Sequence, residues 1–501
     1  MAGEIFFAGI VELQELLAGR QISSVELVDI LIQRIADLDQ SGPRLNSVLE
    51  INTDARSTAA QLDSEREAGE TRGPLHGVPV MLKGNIGTAD EMETTAGSLA
   101  LKGYHPADDA VVAARLRKAG AVILAKTNLS EWANFRSEHS SSGWSGLGGQ
   151  CGNPYAIDRS PGGSSSGSGA AVAAGFAPCA LGTETDGSIV NPSSFNGVVG
   201  LKPTVGLTRR DGVIPIAHSQ DSIGPMGRSV EDVAAILTAI AEPTNSGPID
   251  YRGLLAEDGL HGARIGVARD VYFGYSASAD AVIERAIDLM RRAGAVVIDP
   301  ANIGTGQAMA ASQAEIEVLL YEFKTDLNEY LARARPPSEL RSLEDIIAFN
   351  IKHADREMPY FGQELLERAQ AKGPLSDAAY KDALDENHRL SRAEGIDATL
   401  REHRLEAIIA PGSSPSFPID LVNGDHFTGG CSQPAALAGY PIISVPAGMA
   451  FGLPVGLCFM ASSGSEGALL RLAHAFEHIR GPLPKPDFRP TLAGPRAQSW
   501  A

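Results

Sequence analysis

The chain has 501 residues, 43% hydrophobic and 21% charged, with a formal net charge of −19. That balance belongs to a globular chain long enough to bury a large core and to hold two or three ordinary domains. The acidic excess argues against a nucleic-acid partner, because phosphate binding needs clustered Lys and Arg.

The N-terminal stretch MAGEIFFAGIVELQELLAG has acidic residues among its apolar positions and no basic lead, so it does not read as a signal peptide. No apolar run reaches membrane-spanning length. The cytoplasm is therefore the expected location, with no membrane partner. Ser23 and Glu26 match a capping box, and Val25, Val28, Leu31, Ile32, Ile35 and Leu38 follow at helical spacing. A second helix is predicted from Asn52 to Ala68. Gly77-Val78-Pro79-Val80-Met81-Leu82-Lys83 reads as a short buried strand ending on a lysine. A helix over Asp109 to Ala119 and a strand over Ala121 to Ala125 come next, and the alternation returns at Arg264–Ala268, Asp280–Arg292 and Ala295–Ile298. From about 307 to 404 the pattern is helical, interrupted at Pro336-Pro337 and Met358-Pro359. Strands resume at Ala407–Ala410, Ile442–Pro446 and Val455–Met460, before a closing helix from about Glu466 to Ile479. The strands before and after the helical block look alike, and no linker or repeat divides the chain. We read residues 1–501 as one large α/β domain with a helical excursion from its sheet. Cys151, Cys179, Cys431 and Cys458 are widely spaced, without a CxxC pair, and suit buried thiols better than a disulfide framework or zinc knuckle.

The chemistry concentrates between Ser160 and Leu201, where two Gly/Ser-rich runs flank an apolar segment. A flexible linker is one reading. Against it, Pro161 stiffens the entry, and Ser168-Gly169-Ala170-Ala171-Val172 reads as the start of an apolar helix with Ser as its cap. A phosphate-binding loop is a second reading, but neither G-x-x-x-x-G-K-[ST] nor G-x-G-x-x-G is present. In the third, the turn Gly182-Thr183-Glu184-Thr185-Asp186-Gly187-Ser188 forms a nest of backbone N–H groups for an oxyanion, with Ser188 as nucleophile. A serine hydroxyl needs a base. G-x-S-x-G is absent and no histidine is local, which leaves a lysine kept neutral by burial, such as Lys83. A strand-end lysine reaching water is the plainer alternative. His474-Ala475-Phe476-Glu477-His478 fits the inverted zinc-peptidase pattern H-x-x-E-H, although only Asp487 follows as a carboxylate, so a solvated helix face is the preferred reading.

Three segments together resemble the amidase signature family of serine hydrolases. Pro161 to Gly167 is similar to its Gly-Gly-Ser-Ser loop, Gly182 to Ile189 to its nucleophile loop, and Gly77 to Lys83 to the strand carrying its base. The two serines lie 24 positions apart, as in the family. Gly197–Pro203 and Asp221–Gly227 also match, and the likeness is densest from about 73 to 230. Asn128–Phe135, Ser142–Ser145, Gly149-Gln150, Asn153–Tyr155, Glu322–Lys324 and Met358–Gly362 resemble the peptide-amidase branch.

The resemblance implies a mixed twisted sheet covered by helices on both faces, and a relay without metal or cofactor. In it Ser188 is the nucleophile, Ser164 (held through a cis peptide bond in the family) the bridge, and Lys83 the base. Backbone N–H groups of Thr185, Asp186, Gly187 and Ser188 form the oxyanion hole, and Thr183 and Ser165 support it. Trp132, Phe135 and the block around Tyr321 to Gly362 are expected to line the substrate pocket. The partner implied is a small-molecule or peptide amide, bound by a monomer or homodimer. C-terminal peptide amides are the first substrate class; a broad aryl or acyl amidase or esterase is the alternative. One component of an amidotransferase for charged tRNA, or a non-catalytic amide binder, comes after. Two positions depart from the family pattern: Gly84 stands where Asp usually follows the lysine, and Val190 where many members carry Arg.

Overall fold

A computed structural model describes residues 5–244 and 247–492. The expected buried strand is realised as β2, and its neighbours define the centre of the molecule. In chain order the strands are β1 (Val48–Ile51), β2 (Pro79–Lys83), β3 (Val122–Thr127), β4 (Trp144–Ser145), β5 (Gly149–Gln150), β6 (Cys179–Glu184), β7 (Val199–Lys202), β8 (Ser222–Gly227), β9 (Arg264–Val267), β10 (Val296–Ile298), β11 (Ala407–Pro411), β12 (Ile442–Ala450) and β13 (Leu453–Met460). Eleven of them form one mixed sheet in the order β1-β3-β2-β6-β8-β7-β12-β13-β11-β9-β10, while β4 and β5 make a small separate hairpin.

Every residue of β2, β3 and β6 is buried, as expected where helices cover both faces of a parallel stretch. β2 is parallel to both β3 and β6, with Leu82 opposite Leu181. That register brings Lys83 and Thr183 to the same carboxyl edge, the side of an α/β sheet where ligand crevices form. β6 is antiparallel to β8, with Glu184 opposite Ser222, so Asp221 arrives at this edge too.

Local signals explain several boundaries. The helix Ser24–Ile35 opens on the Ser23/Glu26 capping box read from sequence. The helix after the first Gly/Ser run begins at Ser166 with Ser165 as its cap, three residues earlier than the sequence cap Ser168 predicts. Ser168 is inside it, and its hydroxyl bonds Leu181 O at 3.0 Å and Thr127 Oγ1 at 2.8 Å. This helix lies so close to the strand ends that a Cβ on Gly167 would sit 2.3 Å from Ser47 O; only glycine fits.

Between β10 and β11 the chain runs through helices from Gly306 to His403. The longest, Ala314–Ala334, ends at Arg335 in the left-handed region (φ 49°), just before the two prolines. Leu319, Leu320, Phe323, Leu327 and Leu331 of this helix pack with Trp132, Phe135, Ile214 and Ile216. The block is thereby held against the edge that carries Lys83. No helix among the described residues is long and apolar enough to cross a membrane.

Candidate active site

Lys83 is fully buried at the end of β2. Its Nζ lies 2.8 Å from Ser164 Oγ, 2.8 Å from Thr183 Oγ1 and 3.1 Å from Thr183 O. Three partners suit either an ammonium with three N–H groups or an amine with two N–H groups and a lone pair. Burial decides between them: desolvation lowers the Lys83 pKa to about 7, against the pull of the Asp221 and Glu184 carboxylates. The amine is thus substantially free at neutral pH, with its lone pair available to the Ser164 hydroxyl.

Ser164 follows a cis peptide bond from Gly163, and its carbonyl accepts from Ser130 N at 3.1 Å. Ser165 then ties the two Gly/Ser loops together. Its hydroxyl donates to Thr183 O (3.1 Å) and accepts from Thr183 N (3.2 Å), while its backbone N–H donates to Ser188 O at 3.1 Å. Asn85 Nδ2 donates to Thr183 Oγ1 at 3.1 Å, fixing the second hydroxyl that faces Lys83.

The turn from Thr185 to Ser188 has Gly187 at φ 76°, a conformation glycine adopts without penalty. Among the described residues no acceptor takes up the N–H groups of Asp186, Gly187 and Ser188, so the turn holds a set of donors without partners. It is braced from both ends. The Thr185 hydroxyl donates to Asp221 Oδ1 at 2.6 Å, and Asp221 Oδ2 accepts from Ile216 N (2.9 Å) and Ala217 N (3.1 Å). Burial raises the Asp221 pKa to about 6. At the far end, Glu184 Oε2 accepts from Ile189 N (2.5 Å) and Val190 N (2.9 Å) and caps the helix Val190–Asn196.

An amidase family model matches residues 26–470. The chain belongs to the amidase family. It is 41% identical over 475 residues to a probable amidase of Arabidopsis thaliana, covering 91% of this chain and 87% of that one. It is 36% identical over 493 residues to a glutamyl-tRNA(Gln) amidotransferase subunit of Symbiobacterium thermophilum, covering 93% and 96%. The native peptide amidase of Stenotrophomonas maltophilia superposes with a TM-score of 0.91 at 49% identity, covering 96% of this chain and 98% of that one. As a member of this family the protein is a hydrolase of amide C–N bonds, and its mixed eleven-stranded sheet matches the amidase fold.

Both departures from the family pattern have a visible setting in this amidase. A Cβ on Gly84 would lie 2.9 Å from Leu49 Cδ1 and 3.2 Å from both Leu129 Cδ2 and Thr127 O. Gly84 O accepts from Thr95 N and Ala96 N, each at 3.1 Å. The position is crowded by leucine side chains and organised by its own backbone, so a side chain there would have to displace a neighbour. Val190 is buried in an apolar cluster with Cys431, Ala435 and Leu437.

The expected pocket residues Trp132 and Phe135 are buried in the apolar layer under the Ala314–Ala334 helix, with the Phe135 and Phe323 rings 5.0 Å apart. The turn that carries them has three consecutive residues with positive φ, Trp132 (52°), Ala133 (53°) and Asn134 (71°). Ala133, between the two aromatic residues, reaches the small cavity that Asn85, Thr183, Thr185 and Asp221 also line. The closing-helix histidines do not gather around a common point: Glu477 accepts from Val230 N at 3.0 Å, and His478 lies 3.8 Å from Glu257. The His/Asp/Glu group found among the described residues is instead His218, Glu322 and Asp326. There, His218 Nδ1 is 3.1 Å from Asp326, and Glu322 accepts from Tyr380 and from Ser219 N.

Sequence reading missed Asn85, the brace from Asp221 to Thr185, and the helix-capping role of Glu184. Asn85 had a signal, since it follows Lys83 by two residues on the same strand end. Asp221 lay in a motif already noted, without an indication of what it faces.

Proposed function

We propose that this amidase releases ammonia from C-terminal peptide carboxamides through a Ser188–Ser164–Lys83 relay. The observation that carries the proposal is a fully buried Lys83 amine, 2.8 Å from Ser164, with a pKa lowered to about 7. Ser188 Oγ attacks the amide carbon, its proton passes to Ser164 Oγ, and the Ser164 proton passes to the Lys83 lone pair. The backbone N–H groups of Thr185, Asp186, Gly187 and Ser188 receive the negative charge that develops on the carbonyl oxygen. As the C–N bond breaks, the proton returns through Ser164 to the departing nitrogen, which leaves as ammonia. Water then cleaves the acyl-Ser188 ester by the same proton path. The bond from Ser165 N to Ser188 O ties the loop that carries Ser164 to the turn that carries Ser188.

The substrate class is supported by the likeness over nearly the whole chain to the Stenotrophomonas maltophilia peptide amidase, and by the buried valine at position 190, which offers no cation to a substrate anion. The test uses wild type, Ser188→Ala and Lys83→Ala with a serine-directed fluorophosphonate and a panel of peptide, aryl and alkyl amides. Labelling at Ser188, with fastest ammonia release from peptide amides by the chain alone, is expected. Full turnover in Ser188→Ala would remove the nucleophile, and preference for aryl amides would remove the substrate class.

A further inference from the structure

The nucleophile turn carries a carboxylate that the relay does not use. Asp186 supplies one of the oxyanion N–H groups, yet its side chain points toward the first turn of the helix Ala314–Ala334, where Glu315 lies within side-chain hydrogen-bonding reach. Asp186 Oδ1 is sealed from solvent and meets no N–H or hydroxyl donor. Glu315 is anchored on both oxygens: Gln220 Nε2 donates to Oε1 at 3.2 Å and Gln433 Nε2 to Oε2 at 3.0 Å. Gln220 Nε2 also lies 3.4 Å from Thr185 O, on the same turn. Two carboxyl groups can share a hydrogen bond only if one of them keeps a proton. Asp186 Oδ1, buried with no donor of its own, offers that proton an acceptor, while the Ser432 hydroxyl serves the same carboxyl group.

We infer that Glu315, as a neutral carboxylic acid, donates a hydrogen bond to Asp186 and so holds the oxyanion turn in its working shape. Glu315 is a positioning residue and does not touch the reacting atoms. The inference rests on the reading of residues 185–188 as the oxyanion turn. Ionisation of Glu315 would set two carboxylates against each other directly behind the N–H groups that must bind a developing negative charge. It would both displace the turn and oppose the transition state.

The surroundings agree. Burial, and after it the Asp186 charge, pushes the Glu315 pKa up to about 8. Asp186 is itself raised, chiefly by burial, with the Ser432 hydroxyl and the Lys202 ammonium acting the other way. Among the described residues Glu184 on β6, Cys431 and Tyr272 also sense the Asp186 charge.

The experiment measures kcat and KM for ammonia release from an N-acetylated dipeptide amide between pH 6 and 10. In parallel it measures the rate of Ser188 labelling by a fluorophosphonate, which requires the turn but no peptide. Wild type is expected to lose activity through an alkaline limb near pH 8, falling about tenfold by pH 9 relative to the neutral plateau, in kcat with little change in KM. In Glu315→Gln the amide donates to Asp186 at every pH, so the limb disappears from both assays. Asp186→Asn, which donates to an ionised Glu315, should also lose it and serves if the first variant does not fold. An alkaline limb unchanged in either folded variant, or absent from wild type, overturns the inference. A wild type that labels at Ser188 but ignores peptide amides overturns only the substrate class, and the labelling profile still decides on Glu315. Silence in both assays overturns the relay and the positioning role together.

Discussion

Replacing Gly84 tests whether the missing acidic residue beside Lys83 reflects packing. The backbone at Gly84 lies outside the left-handed region, so alanine adds no backbone strain. What it adds is a methyl group 2.9 Å from Leu49 Cδ1 and 3.2 Å from Leu129 Cδ2 and Thr127 O. The Leu49 methyl must shift, and the Leu129 methyl and the Thr127 carbonyl must give by a few tenths of an ångström. Overpacking of this kind costs about 1–3 kcal/mol, and the lower unfolded-state entropy of alanine returns about 0.4–1 kcal/mol. Gly84→Ala should therefore lose about 1 kcal/mol of stability. Gly84→Asp places a carboxyl in the same space against two leucines and a carbonyl oxygen, and should lose about 3 kcal/mol or more.

Urea unfolding reads these differences, and a cycle with Leu49→Ala separates steric overlap from other causes, since contacting residues couple by about 0.5–3 kcal/mol. Relief of the alanine cost in the double variant is expected. Catalysis supplies an independent reading. To the extent that the carboxyl introduced by Gly84→Asp ionises, it stabilises the Lys83 ammonium and moves the acidic limb of the pH profile upward, while Gly84→Ala leaves the limb in place. Stabilities of both variants within about 0.5 kcal/mol of wild type, or an alanine cost that Leu49→Ala does not relieve, would refute the packing account.

Activity should rise about tenfold per pH unit below pH 7 and reach its maximum between this limb and the alkaline limb assigned to Glu315, because the active Lys83 is the neutral form and its pKa is lowered to about 7. Asp221→Asn removes the foremost charge favouring the ammonium, so this acidic limb should move to lower pH in a pH–rate profile, while the amide oxygen still accepts from Ile216 and Ala217 N–H. Ser164→Ala should lower kcat by about 10²–10⁴ and change KM less than about threefold, since it interrupts proton transfer without removing the nucleophile. Arg136 is buried with its Nη1 2.6 Å from Glu131 Oε1, and Glu357 lies beside them. Arg136→Met leaves those carboxyl groups buried without their cation and should cost about 3–5 kcal/mol in urea unfolding, part of it regained with Glu131→Gln.

The fold was legible wherever a signal is local. An apolar run ending on lysine marked β2, a capping box marked the Ser24 helix, and the closing helix ends at Arg480, within a residue of its expected end. Sequence patterns do not contain the order in which strands pair, because pairing depends on contacts between segments far apart in the chain. β2 lies between β3 and β6, and β12 joins β7 to β13; neither arrangement follows from the periodicity of the strands themselves. The start of the helix at Ser166 was misplaced for a related reason. Several serines in that run are plausible caps, and the tertiary partners Leu181 and Thr127 take the Ser168 hydroxyl.

The same distinction governs the site. Lys83, Ser164 and Ser188 stand in segments that resemble the amidase signature motifs in order and spacing, so the three residues could be named before any coordinates. Their electrostatics could not. Lys83 is shifted by burial, with Asp221 and Glu184 opposing, and those carboxylates come from positions 138 and 101 residues further along. Glu315 meets Asp186 across 129 residues, from a helix whose sequence gives only an acidic first turn. An acidic first turn ordinarily complements the helix dipole in solvent. Here it meets a buried carboxyl group instead. A titratable group therefore acquires its role from what the fold removes around it, and water is the component that a sequence pattern does not record. In the proposed relay the reacting atoms come from three short segments, whereas the groups that would set its pH range come from the assembled sheet edge and the helix packed over it.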